Sequence, residues 1–66
     1  MVEVLVEYDS AGSGCGEDYF YGNNKAHAIR NAIECLELWC EPGDKYEAVF
    51  TIDDKVIAEK TIRPRI

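Results

Sequence analysis

Hydrophobic and polar positions follow two different periods along this chain. Met1 to Tyr8 alternates, with Val2, Val4, Val6 and Tyr8 on one side and Glu3, Leu5 and Glu7 on the other. That is the period of a half-buried strand, and it sends the Glu3 and Glu7 carboxylates to water on the outer sheet face. Asn24 to Cys40 repeats at helical spacing instead. With successive residues about 100° apart, Ala26, Ile29, Ala32, Ile33, Leu36 and Cys40 fall in one arc, the stripe of a helix buried on one side. Ile33 and Leu36 lie near its middle, Cys35 and Trp39 at its border, while His27, Asn31 and Leu38 project away from it. Asn23 or Asn24 is placed to cap the start, and Pro42-Gly43 stops the helix, because proline disfavours helical geometry in the residue before it.

Alternation resumes at Tyr46 to Ile52, with Tyr46, Ala48, Phe50 and Ile52 on one face, and Val56 to Arg63 returns as a last strand that Pro64 ends. The connection at Asp53-Asp54-Lys55 allows two registers. A three-residue loop sets Ile52 opposite Val56 and Phe50 opposite Ala58; a two-residue loop sets Phe50 opposite Ile57 and swaps the buried face. The first is preferred, with Lys60 near the sheet's edge. Between the first strand and the helix, Asp9 to Gly16 reads as a flexible glycine turn and Tyr19-Phe20-Tyr21 as a short strand paired back to the first. The expected architecture is one α+β domain over residues 1–66: a small antiparallel sheet of three to four strands with one α-helix packed across one face, in the order β-(β)-α-β-β.

A chain this short buries only about 60% of the surface exposed on unfolding, so neither a second lobe nor an enclosed active site is expected. No apolar run approaches the ~20 residues of a membrane-spanning helix and no charged-then-apolar leader begins the chain, so a cytoplasmic protein is the default expectation. The odd cysteine count, Cys15, Cys35 and Cys40, favours reduced thiols.

The chemistry-bearing motifs fall short one by one. Gly12-Ser13-Gly14-Cys15-Gly16 has neither the dinucleotide spacing nor the Gly-Lys-Ser/Thr ending of a phosphate cradle, and Glu17 and Asp18 beside it repel phosphate. Cys15 with His27 lacks the electropositive setting that activates a thiolate. Cys15, His27, Cys35 and Cys40 offer zinc-binding atoms without the spacing of a zinc site. Glu17-Asp18 and Asp53-Asp54 are carboxylate pairs on solvated turns, where neither member gains the shielding that an acid/base pair needs. No catalytic residue, metal site or cofactor is predicted.

Acidity is what remains. Thirteen Asp and Glu against seven Lys and Arg give a net charge of −6, and Lys60, Arg63 and Arg65 crowd the end, so the body is more acidic still. Such a surface repels DNA, RNA and anionic lipid and is attracted to basic grooves. Glu34, Glu37 and Glu41 share one helix flank, and Leu38 with a half-exposed Trp39 between them is an alternative contact site. Glu34 to Glu41 spans roughly 10 Å of helix, sparser than the charge per ~1.7 Å of duplex DNA. A DNA mimic would have to gather Glu3, Glu7, Glu17, Asp18, Asp44, Glu47 or Asp53-Asp54 onto the same side.

The small size, the acidic body, the strand–helix–strand–strand layout and the helix Ile33-Glu34-Cys35-Leu36-Glu37-Leu38-Trp39-Cys40-Glu41 together resemble phage-encoded anti-CRISPR proteins. That resemblance implies stoichiometric inhibition, without enzymatic activity, of a CRISPR–Cas effector in the host bacterial cytoplasm. The implied partner is the basic groove of the large subunit of a type I Cascade, which reads the PAM and admits target DNA. The inhibitor would act there as a monomer and bind no nucleic acid itself. Partner-binding residues are then Glu34, Glu37, Glu41, Leu38, Trp39, Glu17, Asp18, Asp44, Glu47, Asp53 and Asp54. Tyr21-Gly22 followed by an alanine-rich helix is also loosely similar to an antitoxin family with a small sheet-and-helix domain, which implies a toxin as the partner instead.

Overall fold

The computed structural model describes residues 1–12 and 14–65. Strands β1 (Val2–Ser10) and β2 (Gly14–Gly22) form a hairpin, helix α1 (Lys25–Trp39) follows, and β3 (Tyr46–Ile52) and β4 (Lys55–Ile62) form a second hairpin. All pairings are antiparallel and the strand order is β2-β1-β3-β4. The result is the expected α+β architecture with four strands, and α1 lies on one face of the sheet against β2 and β1. No helix of the described residues is long and apolar enough to cross a membrane.

The strand alternations read from the sequence carry the core. Val4 and Val6 of β1 and Phe50 of β3 are fully buried, and Tyr46, Ala48 and Ile52 keep them company on the helix side of β3. At about 1.5–3 kcal/mol for each large side chain removed from water, this layer is the main favourable term in the fold.

The glycine segment departs from its expected form. Asp9 to Gly16 is not a flexible loop: β1 and β2 stay paired from Val2↔Gly22 to Ser10↔Gly14 in one unbroken register. The alternation of β1 runs on through exposed Asp9 to buried Ser10, the described turn residues are Ala11 and Gly12, and Ser13 lies outside the described residues. A cross-strand ladder satisfies backbone groups even where glycine contributes no packing, and this outweighs the low strand propensity of Gly14 and Gly16.

Helix α1 begins where expected: Asn24 Oδ1 accepts a hydrogen bond from the His27 N–H at 2.9 Å. Its buried stripe, however, is Ala28, Ala32 and Leu36, continued by Cys40. Ala26 is exposed, Ile29 and Ile33 are only half-buried, and His27 and Asn31, expected to point away, are half-buried against β2. The helix is thus turned by roughly 60° from the arc that hydrophobicity alone selects, given about 100° per residue. Close approach explains the difference. Gly22 sits so near the first turn that a Cβ there would lie 2.4 Å from the Ala28 nitrogen. Small alanines therefore face the sheet, and the bulkier isoleucines flank the contact.

The second hairpin takes neither register as proposed. Its loop has two residues, with Ile52 opposite Lys55, and Asp53 and Asp54 both adopt positive φ, 51° and 63°. That pair of left-handed conformations is the signature of a type I′ turn, which Asp tolerates better than most residues. A bulge then inserts Ile57, so Thr51 faces Val56 while Phe50 faces Ala58. The preferred Phe50–Ala58 pairing is reached through the shorter loop, and Ile62 ends buried beside Tyr46. Lys60 lies on the edge strand and is exposed, as expected.

Candidate protein-binding surface

Because a single helix covers a four-stranded sheet, the other sheet face is bare. Register and alternation set what it displays. Glu3, Leu5, Glu7 and Asp9 of β1 point outward, opposite Tyr21, Tyr19, Glu17 and Cys15 of β2. On the other side Glu7 faces Val49 and Asp9 faces Glu47 of β3, while Glu59 lies beyond Val49. Two neighbouring rows are therefore acidic, Glu17–Glu7–Val49–Glu59 and Cys15–Asp9–Glu47–Thr61, and the row beyond them, Tyr19–Leu5–Thr51, is mostly apolar.

Glu7 and Glu17 stand directly opposite each other. Tyr19 N–H bonds to Asp18 Oδ1 at 3.2 Å and Tyr21 C=O accepts from Asn31 Nδ2 at 2.8 Å. These bonds lie outside the β1 ladder, which makes the odd-numbered residues of β2 members of the closer, non-hydrogen-bonded pairs. Like charges so placed repel and destabilise the sheet. Among the described residues, Glu3, Glu7, Asp9, Glu17 and Glu59 are held in no ion pair. Glu47 is the exception on this face. It accepts a hydrogen bond from Thr61 Oγ1 at 2.9 Å and meets Lys45 Nζ at 3.3 Å, and these contacts hold its carboxyl below the usual glutamate range. Tyr21 bonds to Glu3, which raises the phenol above its ordinary value.

The residues expected to bind a partner are dispersed over this scaffold. Glu34, Glu37 and Glu41 lie on the helix side of the molecule, away from the bare sheet face that displays Glu17 and Glu47. Asp18 is on the helix side of edge strand β2, opposite Val6, and Asp53 and Asp54 form the hairpin tip. The helix flank is also the less available of the two acidic surfaces. Arg65, from the basic end of the chain, donates to Glu37 Oε1 at 2.9 Å, and its backbone N–H caps the Glu37 carbonyl at 3.3 Å. That satisfies one of the carbonyls left open at a helix C-terminus. Asp44 is engaged in the fold: Ser10 Oγ donates to Oδ2 at 2.5 Å and the Lys45 N–H to Oδ1 at 2.7 Å, tying the β1–β2 turn to the α1–β3 loop.

Leu38 is 69% and Trp39 46% exposed. The Trp39 ring nevertheless packs on Phe20 at 5.9 Å and Tyr8 at 6.5 Å, and Tyr8 meets Tyr46 at 5.2 Å, so it anchors the helix end to the sheet. Burial first, then Asp18 and Tyr46, pushes the Tyr8 phenol above its ordinary value.

The thiols are dispersed as well: Cys15 is exposed on the bare face, Cys35 half-buried and Cys40 buried, all unpaired. Burial, then Asp44 and Glu41, raises the Cys40 thiol. Among the described residues no three His, Cys, Asp or Glu side chains converge as a metal site would require.

Asp9 and Glu59 were not among the expected binding residues. The alternation that assigns Glu3 and Glu7 to the outer face reaches Asp9 if it is carried past Tyr8, whereas the face of Glu59 depends on the bulge at Ile57. No family model, curated protein or solved structure matches this chain.

Proposed function

We propose that this chain is a non-enzymatic protein ligand that sets its acidic sheet face into the basic, nucleic-acid-binding groove of another protein. The observation that carries this reading is the in-register pair of acidic rows, Glu17–Glu7 and Asp9–Glu47, left in place despite their mutual repulsion. Neighbouring strands are about 4.8 Å apart and alternate residues along one about 6.8 Å, so the carboxylates form a grid of roughly phosphate-like density. The helix flank offers fewer charges, and each surface has one carboxylate matched by a cation, Glu37 by Arg65 and Glu47 by Lys45. A groove built to bind phosphates meets such a grid with its lysines and arginines, and the attraction steers association as well as holding it.

The resemblance to phage-encoded anti-CRISPR proteins would make the partner a CRISPR–Cas effector, with the PAM-reading groove of a type I Cascade as the place of binding. The exposure of Leu38 and Trp39 supports a second reading, an antitoxin-like module that docks through the helix end.

The test compares two double charge reversals against purified type I Cascade: Glu7→Lys with Glu17→Lys on the sheet, and Glu34→Lys with Glu41→Lys on the helix. The sheet reversal is expected to weaken binding at least tenfold and to flatten its salt dependence, with the helix reversal close to wild type. Equal binding by wild type and the sheet reversal would refute the acidic-face reading. Selective loss on changing Leu38 and Trp39 would favour the second. Pull-downs from bacterial lysates with and without CRISPR–Cas effectors extend the test to other partners.

A further inference from the structure

The sheet has two open edges, and they are treated differently. Edge strand β4 carries the bulge at Ile57 and the lysines Lys55 and Lys60, devices that discourage pairing with another strand. Edge strand β2 has neither. Its nine residues hold one continuous register against β1 and include no proline, lysine or arginine. Helix α1 secures the Phe20–Gly22 end, through the Trp39 ring on Phe20, the Asn31 bond to the Tyr21 carbonyl and the close approach to Ala28. From Cys15 to Tyr19 the strand is exposed apart from half-buried Gly16, and the outward-facing Tyr19 N–H is covered only by the neighbouring Asp18 carboxylate. By alternation, the N–H and C=O groups of Cys15 and Glu17 face outward too.

We infer that the Cys15–Tyr19 edge of β2 accepts an extended segment of the basic partner as a fifth, added strand. This rests on the acidic-face reading above and specifies how the partner engages. Main-chain hydrogen bonds of this kind supply affinity, and alternate side chains supply specificity. Glu17 flanks the edge on the bare face and Asp18 on the helix face, so an incoming strand meets a carboxylate on either side. The matching segment carries lysine or arginine at alternate positions, which line the bare face beside Glu17, with β-branched residues between them directed to the helix face. A second copy of this chain fits poorly there, because antiparallel pairing of two β2 edges centred on this stretch would set either Glu17 against Glu17 or Asp18 against Asp18.

The experiment uses the full chain, isotopically labelled for NMR, and three eight-residue probes of equal charge. One alternates lysine with valine, one interleaves the lysines with glycine and serine, and one is the first peptide N-methylated at alternate residues along one edge. The expected result is that the lysine–valine peptide slows hydrogen exchange at the Cys15 and Glu17 amides and binds at least tenfold tighter than the other two. Equal binding of all three, with shifts at Glu7, Asp9 and Glu47 but no protection of the β2 edge, would overturn the added strand and leave the acidic-face reading intact. Absence of binding by any of them at low salt would overturn both. Concentration-dependent dimerisation that protects the same amides in the peptide-free protein would overturn the choice of occupant.

Discussion

If the acidic face is retained for binding at the expense of the fold, neutralising one of its opposed glutamates makes the protein more stable. Glu7→Gln is the cleanest perturbation, because Glu7 faces Glu17 across the closer type of strand pair and Asp9 follows on the same face. Two unit charges roughly 7 Å apart repel by about 0.6 kcal/mol in water and about 2 kcal/mol at the effective dielectric near a protein surface. Cross-strand charge pairs contribute about 0.2–1 kcal/mol, so the expected gain is about 0.5–1 kcal/mol. For a domain of this size that raises the melting temperature by roughly 2–8 °C. Thermal melts would be recorded at ~0.01 M salt, where the Debye length is about 30 Å, and at ~1 M, where it is about 3 Å. The gain should be present at low salt and largely gone at high salt. Glu17→Gln should give a similar gain, and the double variant less than the sum, since either substitution alone removes the shared repulsion. Glu34→Gln is the control: Arg30 precedes it by one helical turn, so its removal gives no gain. A low-salt melting temperature unchanged or lowered by Glu7→Gln would refute the claim that these carboxylates strain the sheet.

Other consequences concern the fold itself. Leu36→Ala removes a fully buried side chain and is expected to cost about 2–5 kcal/mol in urea unfolding, whereas Ile33→Ala, at a half-buried position, costs clearly less. Equal losses would mean that the helix faces the sheet differently. Gly22→Ala forces a Cβ into the Ala28 backbone, which has no flexible end to yield, and should cost at least the ~1–3 kcal/mol typical of overpacking, read in the same assay. Glu47 has a lowered carboxyl pKa, so the small stability it contributes is present above the unfolded-state value and fades as pH falls through the folded one. Thr61→Val removes the hydrogen bond that contributes most to this lowering. An NMR titration should therefore show the Glu47 midpoint rising toward the ordinary glutamate value, and an unmoved midpoint would show that the contact does not persist in solution.

Strand faces, the helix with its Asn24 cap, and the α+β class are properties that local pattern determines, because side-chain alternation and helical spacing act between residues close in sequence. Val4, Val6, Ala48 and Phe50 needed nothing further to be placed in the core. Rotation of the helix depended on contact with Gly22, a residue outside it, and there the small size of Ala28 mattered more than the hydrophobicity of Ile29 and Ile33. The glycine segment became a strand because β1 offered it a ladder, and the hairpin register was settled by a bulge that no short window of sequence specifies. Acidity was legible from composition, but its arrangement was not. Which carboxylates stand together is fixed by pairing between strands distant in the chain: Glu7 meets Glu17, Asp9 meets Glu47, and Glu37 is matched by Arg65 from the far end. Charges act through space, so only the tertiary structure decided where they add.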